Sequence, residues 1–276
     1  MVQSGWNYNL TKKCVKTAQP SQPNYFEILA QCDPPPIPGI PQQHWSLGVS
    51  SENNDGVVCP VPAAQSFLIN GAGSPVSLVW LPHTDESGNS NWAVNMKTDM
   101  YNFMHPCGAG HFTWYAFMDH IGLGGGPLPR PDQLRFGAVV NFNDYLPNGA
   151  ARALAEFQGY WGGKVRYVDV SFSRTNWGDN YPGDPMIYEY RDSPEFTYIS
   201  VSGEYFGISA PKAQDTLLQV NWSAILGTLI AAGRLPVYGD NPSASAVGIS
   251  HETYNGAPSL SAVSDLWFTN FRISSI

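Results

Sequence analysis

The chain has 276 residues, of which 43% are hydrophobic and only 13% charged, about half the usual charged share. Its 14 Lys and Arg against 22 Asp and Glu give a net charge of −8, without a cationic cluster, which excludes a nucleic-acid partner held through phosphates and disfavours polyanionic polysaccharides. No apolar run reaches transmembrane length, so no membrane partner is expected, and 27 Gly with 23 Pro cut the chain into short pieces that suit an all-β fold with long loops.

The first 64 residues show little periodicity. The opening "MVQSGWNYNLTKKC" has no apolar signal-peptide core, as expected of a sequence that starts at a mature N-terminus. "CDPPPIPGIPQQHW" is locked by proline and excludes a helix or a central strand. The expectation is an irregular, disulfide-tied arm over 1–64 and a main domain over 65–276. Four cysteines, Cys14, Cys32, Cys59 and Cys107, fit two disulfides. Three pairings are open, with Cys14–Cys32 and Cys59–Cys107 preferred. Disulfides point to a secreted or extracellular protein. The rival use of His105, Cys107 and His111 as metal ligands lacks a known zinc spacing, so no metal site is assigned.

From residue 65 onward, strands alternate with turn signals. They are expected at 65–70, 75–82, 91–103 and 111–120, the last aromatic on both faces like a central strand. In 134–146, Leu134, Phe136, Ala138, Val140 and Phe142 share one face. Strands at 153–161 and 164–172 are joined by Gly162-Gly163, a hairpin signal. After the loop "SRTNWGDNYPGDP", strands follow at 186–190 and 196–206. In the second of these, Tyr198, Ser200, Ser202 and Glu204 make a polar face. One helix is expected within 220–236, from Ile225, Leu226, Leu229 and Ile230 at helical spacing, with Ser223 as N-cap and Gly233 after its end. The last two strands flank "SHETYNG".

Four glutamates are candidates for chemistry: Glu156, Glu189, Glu204 and Glu252. A carboxylate inside a strand is costly unless it faces water or has partners, and two on one face make the pair that glycoside hydrolysis needs. Ion pairing of Glu156 with Arg152 or Arg166 is the plainer alternative. His251 and Glu252 are adjacent, so on a strand they point to opposite faces. Glu252 then shares a polar face with Ser250 and Tyr254, and His251 is a hydrogen-bonded structural residue. The nine Trp and 14 Tyr suit stacking on sugar rings; Trp161, Trp177 and Tyr198 are the chosen platforms, with Glu204 and Tyr254 as further contacts. No cofactor fingerprint is present. Asp179, Asn180 and Asp184 could hold a structural calcium, although acidic turn residues usually need no metal.

The C-terminal third, with a helix reading W-x-x-I-L-x-x-L-I-x-x-G-x-L, a loop, a strand ending E-x-x-N-G and a final alternating strand, resembles family 12 glycoside hydrolases. The resemblance implies a concanavalin A-like jelly-roll β-sandwich with one short helix. It also implies an acid/base at Glu252 and a nucleophile at Glu156. The function expected is a secreted carbohydrate-active protein that takes a neutral polysaccharide or oligosaccharide, most simply a glycoside hydrolase cleaving a β-glucan-type chain. A non-catalytic lectin or binding module and a structural or surface assembly protein stay open as alternatives.

Overall fold

The computed structural model describes residues 128–144, 149–178, 181, 183–253 and 264–276. It also gives the backbones of Tyr254, Val263 and six N-terminal strands, in which the side chains of Ala93, Asn95 and Met96 are described. In chain order the strands are β1 (Val15–Ala18), β2 (Tyr25–Cys32), β3 (Trp45–Asn53), β4 (Val76–Thr84), β5 (Ser90–Asp99), β6 (Gly110–Asp119), β7 (Leu134–Asp144) and β8 (Ala150–Trp161). They continue with β9 (Lys164–Thr175), β10 (Ile187–Asp192), β11 (Phe196–Ser202), β12 (Thr216–Asn221), β13 (Ser243–Tyr254) and β14 (Val263–Ser275). Helix α1 (Trp222–Ala231) lies between β12 and β13.

These strands form a nine-stranded sheet, ordered β1-β2-β3-β6-β13-β8-β9-β11-β10, and a five-stranded sheet, ordered β12-β7-β14-β5-β4. The architecture is a two-layer β-sandwich of jelly-roll type, as the resemblance of the C-terminal third implied. The irregular arm expected over 1–64 instead contains β1 to β3, which continue the large sheet through the β3–β6 ladder. The prolines that obscured them fall between β2 and β3, outside the ladder, where proline costs no hydrogen bond. The strand expected at 65–70 and the side chains of Cys14, Cys32, Cys59 and Cys107 lie outside the described residues.

The strand bounds follow local chemistry. β8 and β9 form a hairpin whose turn is Gly162 (φ 61°) and Gly163 (φ 79°); only glycine takes two successive left-handed residues at low cost. β9 and β11 are parallel, whereas the other ladders among the described residues are antiparallel. The cause is the β10–β11 hairpin, which lays β11 rather than β10 against β9. α1 starts two residues earlier than Ser223 as N-cap implies, directly after Asn221, the last residue of β12 paired with β7. Its N-cap is Asn221, not Ser223: Asn221 Oδ1 accepts from the Ala224 backbone N–H at 3.2 Å.

Alternation decides which side chains enter the core. Leu134, Phe136, Ala138, Val140 and Phe142 of β7 are all buried, as are Met96, Leu266 and Phe268 of the same sheet. Facing them from the large sheet are Ala151, Ala153, Ala155 and Phe157, with Val168, Val170, Val247 and Ile249. Trp222, Ile225, Leu226 and Leu229 of α1 join this cluster, with Trp222 5.5 Å from Phe157 between ring centroids. Each large side chain so buried contributes about 1.5–3 kcal/mol.

His251 points into this layer. It is fully buried, and its Nδ1 lies 2.8 Å from Ser264 Oγ of the opposite sheet, itself 2.7 Å from Thr253 Oγ1. Burial lowers its pKa to about 3. The unfolded chain binds this proton near pH 6.5, so between about pH 6.5 and 3 the unfolded state holds more protons and folding weakens as pH falls. Wild-type protein is expected to lose stability across that window relative to His251→Gln, by up to about 1.4 kcal/mol per pH unit, in denaturant titrations at stepped pH.

Candidate active site

Residues of β8 that do not face the core, Arg152, Leu154, Glu156, Gln158 and Tyr160, lie on the outer face of the large sheet. The register fixes their neighbours. Glu156 opposes Gly248 of β13 on one side and Asp169 of β9 on the other. Asp169 opposes Ser200 of β11, which opposes Glu189 of β10. Glu252 opposes Arg152 across β13 and β8. Although they sit on the outer face, Arg152, Glu156, Asp169, Glu189 and Glu252 are all buried, none more than 9% exposed.

Arg152 is the hub. Its guanidinium pairs with Glu252, lies 3.7 Å from Glu189, and donates to Ser200 Oγ at 3.0 Å and to Tyr198 Oη at 3.2 Å. Trp177, from the loop after β9, stacks on it at 4.4 Å. Glu189 is also paired with Arg191. Burial alone would lower the Arg152 pKa, but Glu252, with Tyr198 and Asp169 close by, holds it above its ordinary value.

The carboxyls divide by environment. Burial, and then the charge of Asp169, push Glu156 well above the usual carboxylate range; Ser250 beside it tempers the rise. Burial pushes Asp169 up to about 7, against the pull of Arg152. Tyr198 is held well above an ordinary tyrosine by burial and by Asp169. Glu252 makes its ion pair with Arg152 as a carboxylate. Ser250 Oγ and Ser171 Oγ, both buried on this face, make no well-formed hydrogen bond among the described residues. The cluster therefore holds two carboxyls, Glu156 and Asp169, whose surroundings favour a proton, one, Glu252, that is ion-paired with a guanidinium, and hydroxyls with bonding capacity to spare.

The sequence-derived residues are partly reunited here. Glu156, Glu252, Tyr198 and Trp177 come together, whereas Trp161 does not: it is 2% exposed and packs in the core against Phe157 and Tyr238, with its indole N–H donating to the Pro236 carbonyl. Odd-numbered β8 positions face inward, so Trp161 cannot act as a sugar platform. Glu204 also leaves the expected face, because β11 ends at Ser202 and Glu204 starts an exposed 3-10 turn. The side chain of Tyr254 lies outside the described residues. Asp184, considered for calcium, pairs with Arg234 at 3.0 Å, while Asp179 and Asn180 lie outside the described residues. Arg152 serves Glu252 and Glu189 rather than salt-bridging Glu156, and Arg166 is bound to the Trp161 carbonyl and Thr197. Asp169 went unnoticed in the sequence. Its signal was a lone acid at an alternating position of "KVRYVDVSF", two strand residues from a tyrosine.

No protein-family model matches this chain, and no curated protein does. Among solved structures it is similar to endoglucanase Cel12A from Rhodothermus marinus, at 13% identity and TM-score 0.37 over 71% of this chain and 96% of that one. It is also similar to a family 12 xyloglucanase from Bacillus licheniformis, at 10% identity and TM-score 0.40 over 95% and 100%. A metagenome-derived family 12 endoglucanase gives 13% identity and TM-score 0.39 over 73% and 98%. Likeness at this level leaves the fold to rest on the two sheets themselves, and the chemistry on the site's own residues.

Two outcomes test the electrostatics. Asp169 has a folded pKa of about 7 against roughly 3.9 unfolded, so its contribution is present below the unfolded value and lost as pH rises through 7. Asp169→Asn is therefore expected to match wild type in Tm near pH 4 and to exceed it increasingly up to about pH 7, above which the difference levels off. Arg152→Met, which strands buried carboxylates, is expected to cost about 3–5 kcal/mol in denaturant titrations. Arg191→Met, at an exposed position, is expected to cost less than about 1 kcal/mol.

Proposed function

We propose that this protein is a glycoside hydrolase that acts on a neutral β-glucan-type chain, with Glu156 and Glu252 as the reacting carboxyls. The observation that carries it is the contrast between these two glutamates on one sheet face. Glu156 is buried beside Asp169, and both burial and that charge favour its protonated form; Glu252 is ion-paired with Arg152. Glycoside cleavage needs this asymmetry: a neutral acid to protonate the departing oxygen, and a carboxylate to attack the anomeric carbon or activate water. The geometry thus favours the reverse of the roles the resemblance implied, with Glu156 as proton donor and Glu252 as the carboxylate.

The surroundings fit the assignment. Asp169, sharing the low-dielectric site with Glu156, raises its proton affinity and is the natural relay for resetting it. Arg152 and Trp177 fix Glu252 in place, which makes them positioning residues. Ser171 and Ser250 offer hydroxyls to a sugar. A uronate would add negative charge beside Glu156, Asp169, Glu189 and Glu252, so a neutral sugar fits better. An extracellular place of action, with Cys14, Cys32, Cys59 and Cys107 in two disulfides, belongs to the same proposal.

The test is reducing-sugar release from a panel of neutral β-glucans. Wild type is expected to release sugar, and Glu156→Gln and Glu252→Gln to lose at least 1,000-fold, on the order of the contribution of a positioned acid or base, while circular dichroism shows both variants folded at the assay temperature. An aryl glycoside whose leaving group needs no proton separates the roles: Glu156→Gln is expected to keep most of its activity on it and Glu252→Gln to lose it. No release by wild type, or release that survives both substitutions, contradicts the proposal. Binding without release supports the non-catalytic alternative.

A further inference from the structure

The two reacting glutamates lie on one face of the large sheet but not in one row. On β8 and β13 the outward residues form successive cross-strand rows. Glu156 stands opposite Gly248, Leu154 opposite Ser250, and Arg152 opposite Glu252. On its other side Leu154 stands opposite Ser171 of β9. A complete row of Ser250, Leu154 and Ser171 therefore lies between the row of Glu156 and the row of Glu252. Ser250 is fully buried and Ser171 is 5% exposed. The Ser250 hydroxyl lies beside Glu156, yet neither Ser250 Oγ nor Ser171 Oγ makes a well-formed hydrogen bond among the described residues. A buried hydroxyl without a full partner weakens a fold, and an ordered water with about two to four polar neighbours removes that cost.

The rows also set how near the two carboxyls can come. Four residues of strand place the α-carbons of Glu156 and Glu252 about 13 Å apart along the ladder and about 4.8 Å across it. With carbon–carbon bonds of about 1.5 Å, a glutamate carboxyl reaches about 4 Å from its α-carbon. Stretched fully toward each other, the two would still stand about 7 Å apart. Glu252 does not stretch that way, because it pairs with Arg152, directly across in its own row. Glu156 nevertheless feels the charge of Glu252, so the gap is bounded from above as well. Direct attack by a carboxylate on the anomeric carbon needs carboxyls about 5–5.5 Å apart, whereas about 6.5–9.5 Å leaves room for a water molecule.

We propose that Ser250 and Ser171 hold the hydrolytic water between Glu156 and Glu252, so that the protein cleaves its glucan with inversion at the anomeric carbon. This rests on the glycosidase reading of the carboxyl cluster. Glu156 gives its proton to the glycosidic oxygen, which leaves with the electron pair of the broken C–O bond. The water oxygen forms the new bond from the opposite face of the ring, and its proton passes to Glu252. Proton exchange with solvent then resets both carboxyls. A β-linked chain is released as the α-anomer, and no covalent glycosyl-enzyme forms. This departs from the nucleophile that the resemblance implied, since no carboxylate attacks carbon.

The test is proton NMR of the sugar released by wild type from whichever neutral β-glucan of the panel it cleaves, taken before the product mutarotates. The α-anomer is expected first. Methanol added to the assay is expected to yield no methyl glycoside, because there is no glycosyl-enzyme for it to intercept. Ser250→Ala is expected to lower kcat about tenfold or more with KM within about twofold, because the water and not the glucan loses its holder. Ser171→Ala is expected to act in the same direction, more weakly. The β-anomer as first product, or a methyl glycoside, overturns the water site and leaves the hydrolase standing. A kcat unchanged in both serine variants overturns the assignment of the two hydroxyls. Absence of release from every glucan of the panel overturns the hydrolase and the water site together.

Discussion

The site depends on one buried guanidinium. Arg152 sits in a strand surrounded by sheet, and a cation there is tolerable only because carboxylates and hydroxyls from three other strands meet it. Glu252 comes from β13, Ser200 and Tyr198 from β11, and Glu189 from β10. That ties β8 to its neighbours on both sides and fixes the charge state of Glu252. Glu156 and Asp169 lie close enough to feel Arg152 yet are not salt-bridged to it, so burial decides their protonation. A purely structural ion pair would need one acid; the additional buried carboxyls are a cost in stability for which the proposed hydrolysis gives a reason.

The same alternation that gathers this cluster keeps the two layers apart. Each step along β13 exchanges faces, so Glu252 joins the acids while His251 crosses into the core to meet Ser264 of the opposite sheet. The two faces respond oppositely to acid. Protonation is resisted by His251, whose burial favours the neutral ring, and welcomed by Glu156 and Asp169. Stability as a function of pH therefore sums two contributions of opposite slope, one from each face of the large sheet.

Much of the fold was legible locally. The inward set of β7, the glycine turn between β8 and β9, and the amphipathic stretch of α1 follow from period and turn chemistry. β1 to β3 were not, because prolines around them mask strands that exist through pairing with β6. The site was half legible. Glu156 and Glu252 stood out as scarce acids on alternating strands, but which acids meet depends on register between β8, β9 and β13, which no local pattern encodes. Asp169 was hidden for that reason. Trp161 misled because aromatic content alone does not tell an inward from an outward ring; parity relative to Phe157, an evident core residue, would have done so.

The direct measurement of the central claim is the titration of Glu156 itself, by carbon-13 NMR of protein labelled at glutamate carboxyls, with Glu156→Gln used to assign its signal. A resonance that remains protonated well after the exposed glutamates have titrated, and that moves toward them in Asp169→Asn, is the expected result. A Glu156 signal that titrates together with the exposed glutamates would contradict the division of labour between Glu156 and Glu252.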